Sequence, residues 1–112
     1  YKRQPVYEAT QECYKAIMDN PFDRYSISEL AKKYAISESS LKRCFAYITG
    51  NSIGSFIKST CLEAAADLLA HKQSMPIGEI ADLAGYLNQG KFSSAFKKHF
   101  GETPQQYRNK SI

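Results

Sequence analysis

The segment "SISELAKKYAISESSLKRCF", beginning at Ser26, returns as "PIGEIADLAGYLNQGKFSSAF", beginning at Pro76. Ile27-x-Glu29-Leu30-Ala31 answers Ile77-x-Glu79-Ile80-Ala81. Leu41 and Phe45 answer Phe92 and Phe96, with one extra residue in the second copy. Even the exits correspond: Gly50-x-Ser52-x-x-x-Phe56 matches Gly101-x-Thr103-x-x-x-Tyr107. A chain of 112 residues that repeats a unit of this length has room for little else. The repeat therefore constrains the fold more than any other feature.

The unit reads as helical. Apolar residues recur at 3.6-residue spacing, and glycine and proline fall between the periodic segments. A first helix follows from "PVYEATQECYKAIMDN", with Val6, Ala9, Cys13 and Ile17 on one stripe and Asn20-Pro21 as its stop. Ser26 caps a second helix, with Glu29 placed to complete a capping box. After a turn at Ala35-Ile36, Ser37 caps a third helix with Leu41, Cys44, Phe45 and Ile48 inward, ended by Gly50. Ser52 caps a long fourth helix, about 28 Å to His71, with Ile53, Ile57, Cys61, Ala64 and Leu68 as its expected buried stripe. The second copy gives a helix from Ile77 to Ala84, a turn at Gly85-Tyr86, and a helix from Asn88 to Phe100 stopped by Gly101. Phe92, Ala95, Phe96 and Phe100 are its inward residues. Thr103-Pro104 opens a short last helix. The expected class is all-α, about seven helices.

A short helix, a tight turn and a second helix with a polar N-terminal face is the helix-turn-helix pattern. Its second helix must fit the major groove, so its exposed residues should be small or hydrogen-bonding. The first copy offers Ser39, Ser40, Lys42 and Arg43; the second offers Asn88, Gln89, Lys91, Ser93 and Ser94. The competing reading is two solvated amphipathic faces. Two equivalent helices, both poor in acids and rich in donors, favour DNA.

Charge points the same way. The net charge is +4 and the pI about 9.0, a mild preference for a polyanion. Its distribution says more. Residues 32–58 hold Lys32, Lys33, Lys42, Arg43 and Lys58 against Glu38. From residue 84 onward Lys91, Lys97, Lys98, Arg108 and Lys110 face only Glu102. The acids gather elsewhere, including Glu63, Asp67, Glu79 and Asp82.

From Ser26 to Arg108 the chain resembles the DNA-binding domain of AraC/XylS-type transcription regulators. The resemblance rests on Leu30-Ala31, Ser37, Leu41-Lys42-Arg43-x-Phe45, Gly50, Glu63-Ala64-Ala65-x-x-Leu68-Leu69, Ile80-Ala81, Gly85-Tyr86 and, most specifically, "KFSSAFKKHFGETPQQYR" from Lys91 to Arg108. It implies two helix-turn-helix units (about 26–50 and 76–101) joined by a bridging helix (about 52–71), with a last helix at about 103–110, in one domain over 1–112 that is a piece of a longer chain. Two heads would enter successive major grooves ~34 Å apart, so the fragment binds as a monomer; any dimerisation falls to a domain outside it.

By position, the resemblance carries base reading to Ser39, Lys42 and Arg43, with Ser40 nearby, and to Gln89, Gly90, Lys91 and Ser94; Asn88 joins them as an exposed donor at the start of the second helix. Phosphate contacts are expected from Ser37, Ser93, Lys97 and Lys98 and from backbone amides at 26–28 and 77–79. Ser94 and Cys61 stand where relatives often carry arginine, and Gly90 where many carry a polar side chain. The implied function is activation of bacterial transcription in the cytoplasm, with RNA polymerase as a further partner and no cofactor.

Two rival functions remain at the level of sequence: a protein-interaction module, and a DNA-repair methyl acceptor. The second needs an activated cysteine. Cys13 and Cys44 lie on core stripes, and none of the three cysteines has C-x-x-C spacing or an adjacent histidine. Enzyme chemistry, a metal site and a membrane span are not expected.

Overall fold

The computed structural model describes residues 4–111. Among these it contains seven α-helices and no strand: α1 Gln4–Asp19, α2 Ile27–Lys33, α3 Glu38–Thr49, α4 Ile53–His71, α5 Ile77–Leu83, α6 Gln89–Phe100 and α7 Pro104–Lys110. Among the described residues no helix is long and apolar enough to cross a membrane. The chain divides into two compact units, 1–60 and 61–112, so the boundary falls within α4.

In the first unit α1 and α2 both pack on α3. The core joins Cys13 and Ile17 of α1, Leu30 and Ala31 of α2, Leu41 and Phe45 of α3, and Ile53 of α4. Phe45 meets Phe56 edge-on at 5.1 Å between ring centroids, and Tyr14 lies 5.1 Å from Phe56. Thr10, buried against expectation for a polar residue, donates to Val6 O at 2.7 Å within its own helix. Tyr25 closes the end of α1: its hydroxyl lies 2.9 Å from both Ala16 O and Asn20 O.

The second unit repeats these relations. α5 packs on α6 and α6 on α7. Phe96 meets Tyr107 edge-on at 5.5 Å, the counterpart of Phe45 and Phe56. Phe92 continues the row to Tyr86, 5.5 Å away. Thr103 and Gln106 form a complete capping box at the start of α7. At α2 only the serine half forms, Ser26 Oγ accepting from Glu29 N at 3.3 Å.

The bridging helix corrects the expected stripe. Its fully buried residues are Ile53, Leu62, Ala65, Ala66 and Leu69, while Ile57, Cys61, Ala64 and Leu68 are half-buried. A single stripe fails because α4 serves two cores. Ile53, with Phe56 and Ile57, belongs to the first; the residues from Cys61 onward belong to the second. The buried spacing Leu62, Ala65, Leu69 reproduces Thr10, Cys13, Ile17 in α1. The repeat thus reaches one helix further back than the sequence suggested: the second half of α4 precedes α5 as α1 precedes α2.

The two turns are the same turn built with different residues. In the first, Ala35 N donates to Lys32 O at 3.2 Å and Ile36 N to Ala31 O at 3.0 Å. In the second, Gly85 N donates to Asp82 O and Tyr86 N to Ala81 O, both at 3.0 Å. This pair of hydrogen bonds needs a left-handed residue at the corner. Gly85 supplies it at φ 85°, but Ala35 adopts φ 57° with a Cβ in place. Left-handed backbone costs an L-residue roughly 1–2 kcal/mol. Ala35→Gly should therefore raise stability by up to about 1 kcal/mol and Gly85→Ala should lower it by about 1–2 kcal/mol, as read by urea denaturation.

Candidate nucleic-acid interface

Each unit exposes one side of its second helix. On α3 the buried residues Leu41, Cys44 and Phe45 leave Ser39, Lys42, Arg43, Ala46 and Tyr47 outward. On α6 the buried residues Phe92 and Phe96 leave Gln89, Gly90, Lys91, Ser94, Lys97 and Lys98 outward. Ser39, Lys42 and Arg43 therefore share one face of α3, and Lys91, Ser94, Lys97 and Lys98 share one face of α6, while Gln89 is exposed at the helix start on the side of Phe92 and Phe96. Tyr47 extends the first face by a turn beyond Arg43 and is 71% exposed. It was not singled out from sequence, because a tyrosine at that spacing also suits a core.

Several nominated side chains have local work. Ser37 caps α3, its hydroxyl accepting from Ser40 N at 3.1 Å and donating to Ser40 Oγ at 2.9 Å. Ser40 is half-buried, and Ser93 likewise on α6. Asn88 lies before α6 rather than in its first turn, and its Oδ1 accepts from Lys91 N at 2.8 Å. That leaves the amide NH2 as the group Asn88 can offer a partner. A Cβ on Gly90 would sit 3.3 Å from this capping oxygen, so the glycine gives Asn88 room to fold back. Gln89 Oε1 lies 3.4 Å from where a Gly78 Cβ would sit, so its amide rests over α5.

The basic share of the second unit is smaller than its sequence implied. Lys110 Nζ binds Glu102 Oε2 at 2.8 Å, and this hydrogen bond raises the lysine pKa. Arg108, only 8% exposed, is not a surface cation at all. Its Nε donates to Leu69 O at 3.1 Å and its Nη2 to Lys72 O at 3.0 Å, capping the end of α4. A cation suits that end of a helix, where carbonyls lack partners. Lys91, Lys97 and Lys98 remain exposed.

A family profile described as a helix-turn-helix domain matches residues 30–110. The transcriptional regulator RipA of Corynebacterium diphtheriae is 30% identical over 105 residues, covering 94% of this chain and 31% of that protein. The regulatory protein SoxS of Salmonella typhimurium is 32% identical over 107 residues, covering 96% of each chain. A crystal structure of a regulator with an AraC-type DNA-binding domain, from Chromobacterium violaceum, superposes with a TM-score of 0.84 at 24% identity, covering 94% of this chain and 93% of that one. The chain belongs to the AraC/XylS family. It spans under a third of the length of RipA and nearly all of SoxS. These AraC/XylS relatives are regulators, not enzymes, so the chemistry to explain is binding.

Cys61, one of the three positions at which the chain departs from the pattern that the resemblance implies, has a local partner. Its thiol donates to Ala84 O at 3.5 Å, at the C-cap of α5 where the second turn begins. Burial raises its pKa, and raises that of Tyr86, with Cys61 adding to the tyrosine's shift. Cys13 and Cys44 are fully buried. Burial pushes the Cys13 thiol from 9.0 up to about 11, with Lys33 acting the other way.

Two outcomes follow for stability. Arg108→Ala should cost about 2–3 kcal/mol in urea denaturation, and Arg108→Lys should recover only part, since a point charge cannot serve both carbonyls. The raised Cys13 pKa means that its contribution is intact below pH 9 and is lost as pH rises through about 11. Stability should therefore fall across that window by at most about 1.4 kcal/mol per pH unit more than in Cys13→Ala, measured by paired denaturation curves.

Proposed function

We propose that α3 and α6 are the reading helices of a sequence-specific duplex-DNA binder, entering successive major grooves, and that 1–112 acts as one DNA-binding domain. One observation carries this reading: two helices, held by the same turn and the same edge-on aromatic contact, expose donor-rich faces free of acids beyond Glu38. A duplicated, similarly mounted face suits a ligand that itself repeats, as a double helix does each turn.

The two faces are not equal. α3 presents Lys42 and Arg43, which can donate to guanine O6 and N7, beside the small Ser39. α6 has Ser94 at the place of Arg43, no side chain at Gly90, and Gln89 folded over α5. Its Lys97 and Lys98 suit phosphates. The first head accordingly sets most of the sequence preference and the second adds affinity. Binding by this chain as a monomer, regulation of bacterial transcription as an activator in the cytoplasm, and contact with RNA polymerase through Glu63, Asp67, Glu79 and Asp82 complete the proposal. Of these, Glu63 Oε2 lies 3.8 Å from His99 Nε2.

Affinities on operators altered in one half at a time test the assignment. Arg43→Ala should cost about 1–3 kcal/mol on the preferred site and relax preference in one half of it. Lys97→Ala should weaken good and poor sites by similar factors and reduce the log-log salt slope by about one. A protein-interaction module would show no salt-dependent DNA binding. Stronger discrimination in the half met by Gln89 and Lys91 would reverse the roles of the heads.

A further inference from the structure

After the shared hydrogen-bonded corner, the stretch leading to the cap of α6 holds one residue more than the stretch leading to the cap of α3, and the structure identifies it. Hydrogen bonding is equivalent through Ile36 and Tyr86, each donating to the carbonyl five residues back at 3.0 Å. The first copy then goes directly to its cap, Ser37; the second inserts Leu87 before its cap, Asn88. Leu87 is 86% exposed, the most exposed large apolar residue among those described.

An apolar residue just before an N-cap ordinarily packs on the fourth residue of the helix. In the first copy Ile36 does this duty, packed against the core that contains Leu41. In the second, that duty has passed to Tyr86, whose ring lies 5.5 Å from Phe92. Leu87 is thereby displaced outward with no local role in capping, turn or core. It stands at the N-terminal end of the reading helix, the end that meets base edges.

The major groove offers one apolar group to such a side chain, the thymine C5-methyl. We propose that Leu87 is a specificity-determining residue of the second head, reading a thymine methyl at the edge of the half-site met by α6. This rests on the reading of α6 as a groove-bound helix. It supplies that head with a preference its hydrogen-bonding side chains lack at Gly90 and Ser94, and one with no counterpart in the first head.

The test uses the chain on a duplex that it selects from random DNA, with thymines of the second half replaced singly by deoxyuridine. That change removes the methyl group and keeps the base pair. The unaltered chain should lose about three- to tenfold in affinity at one such position. Leu87→Ala, with an unchanged melting temperature, should bind the thymine duplex with that lower affinity and lose nothing further on deoxyuridine. A loss in Leu87→Ala that is equal on both duplexes overturns the proposal, as does no loss at all, which would assign the leucine to a protein-facing surface. Gln89→Ala and Lys91→Ala separate the two levels. If neither weakens binding through the second half, the groove reading fails and takes the proposal with it. If they do weaken it while the deoxyuridine scan is flat, only the role of Leu87 fails.

Discussion

In each unit a phenylalanine on the second helix of the helix-turn-helix pair, α3 or α6, meets, edge to face, an aromatic ring on the helix that follows. Phe45 with Phe56 and Phe96 with Tyr107 are the two instances. Everything that the outer face presents is aimed by the inner one. Phe45 lies on the opposite side of α3 from Arg43, so holding the ring fixes the helix's rotation about its own axis. Truncating a buried phenylalanine to alanine typically costs about 3–5 kcal/mol, more than any single exposed contact in either face supplies. The left-handed glycines, Gly50 and Gly101, turn the chain so that the second ring arrives where the first can meet it.

Against that common frame, the differences between the units gain meaning. The first keeps charge at the centre of its face and accepts strain at Ala35. The second has an unstrained corner at Gly85, a bare position at Gly90, and an added leucine. Its charges are partly spent on structure: Arg108 closes α4, and Lys110 is held by Glu102. Formal charge therefore overstates how basic the second unit is toward a partner.

Most of the helix order was legible from sequence, because capping residues and terminal glycines mark ends by local chemistry. Ser37, Thr103, Gly50 and Gly101 all stand at the boundaries where their side chains or backbones suggested, whereas Asn88, read as the first residue of its helix, is its cap. The stripe on α4 was not legible: periodicity assumes one buried side, and this helix has two in succession. Arg108 was misread for a related reason. An arginine near a chain's basic end looks like surface charge until the carbonyls that it caps, 39 and 36 residues earlier, are brought beside it. The faces of α3 and α6 were legible as faces. The capping work of Ser37 and Asn88 follows from their positions, but the folding of Gln89 over Gly78 depends on how α5 meets α6. Tyr47 and Leu87 escaped notice because exposure of an apolar residue leaves no periodic trace.

The dual service of α4 has a bearing on how such a chain could have arisen. A unit here opens on one helix and closes on the first turns of another, and the closing helix of the first copy is continuous with the opening helix of the second. Tandem copying of a segment of about fifty residues would make that junction without any new linker, since the end of one copy is already a helix in register to begin the next. The descent of the two reading heads from a single ancestor would then need only one recombination event, followed by the separate drift of their outer faces.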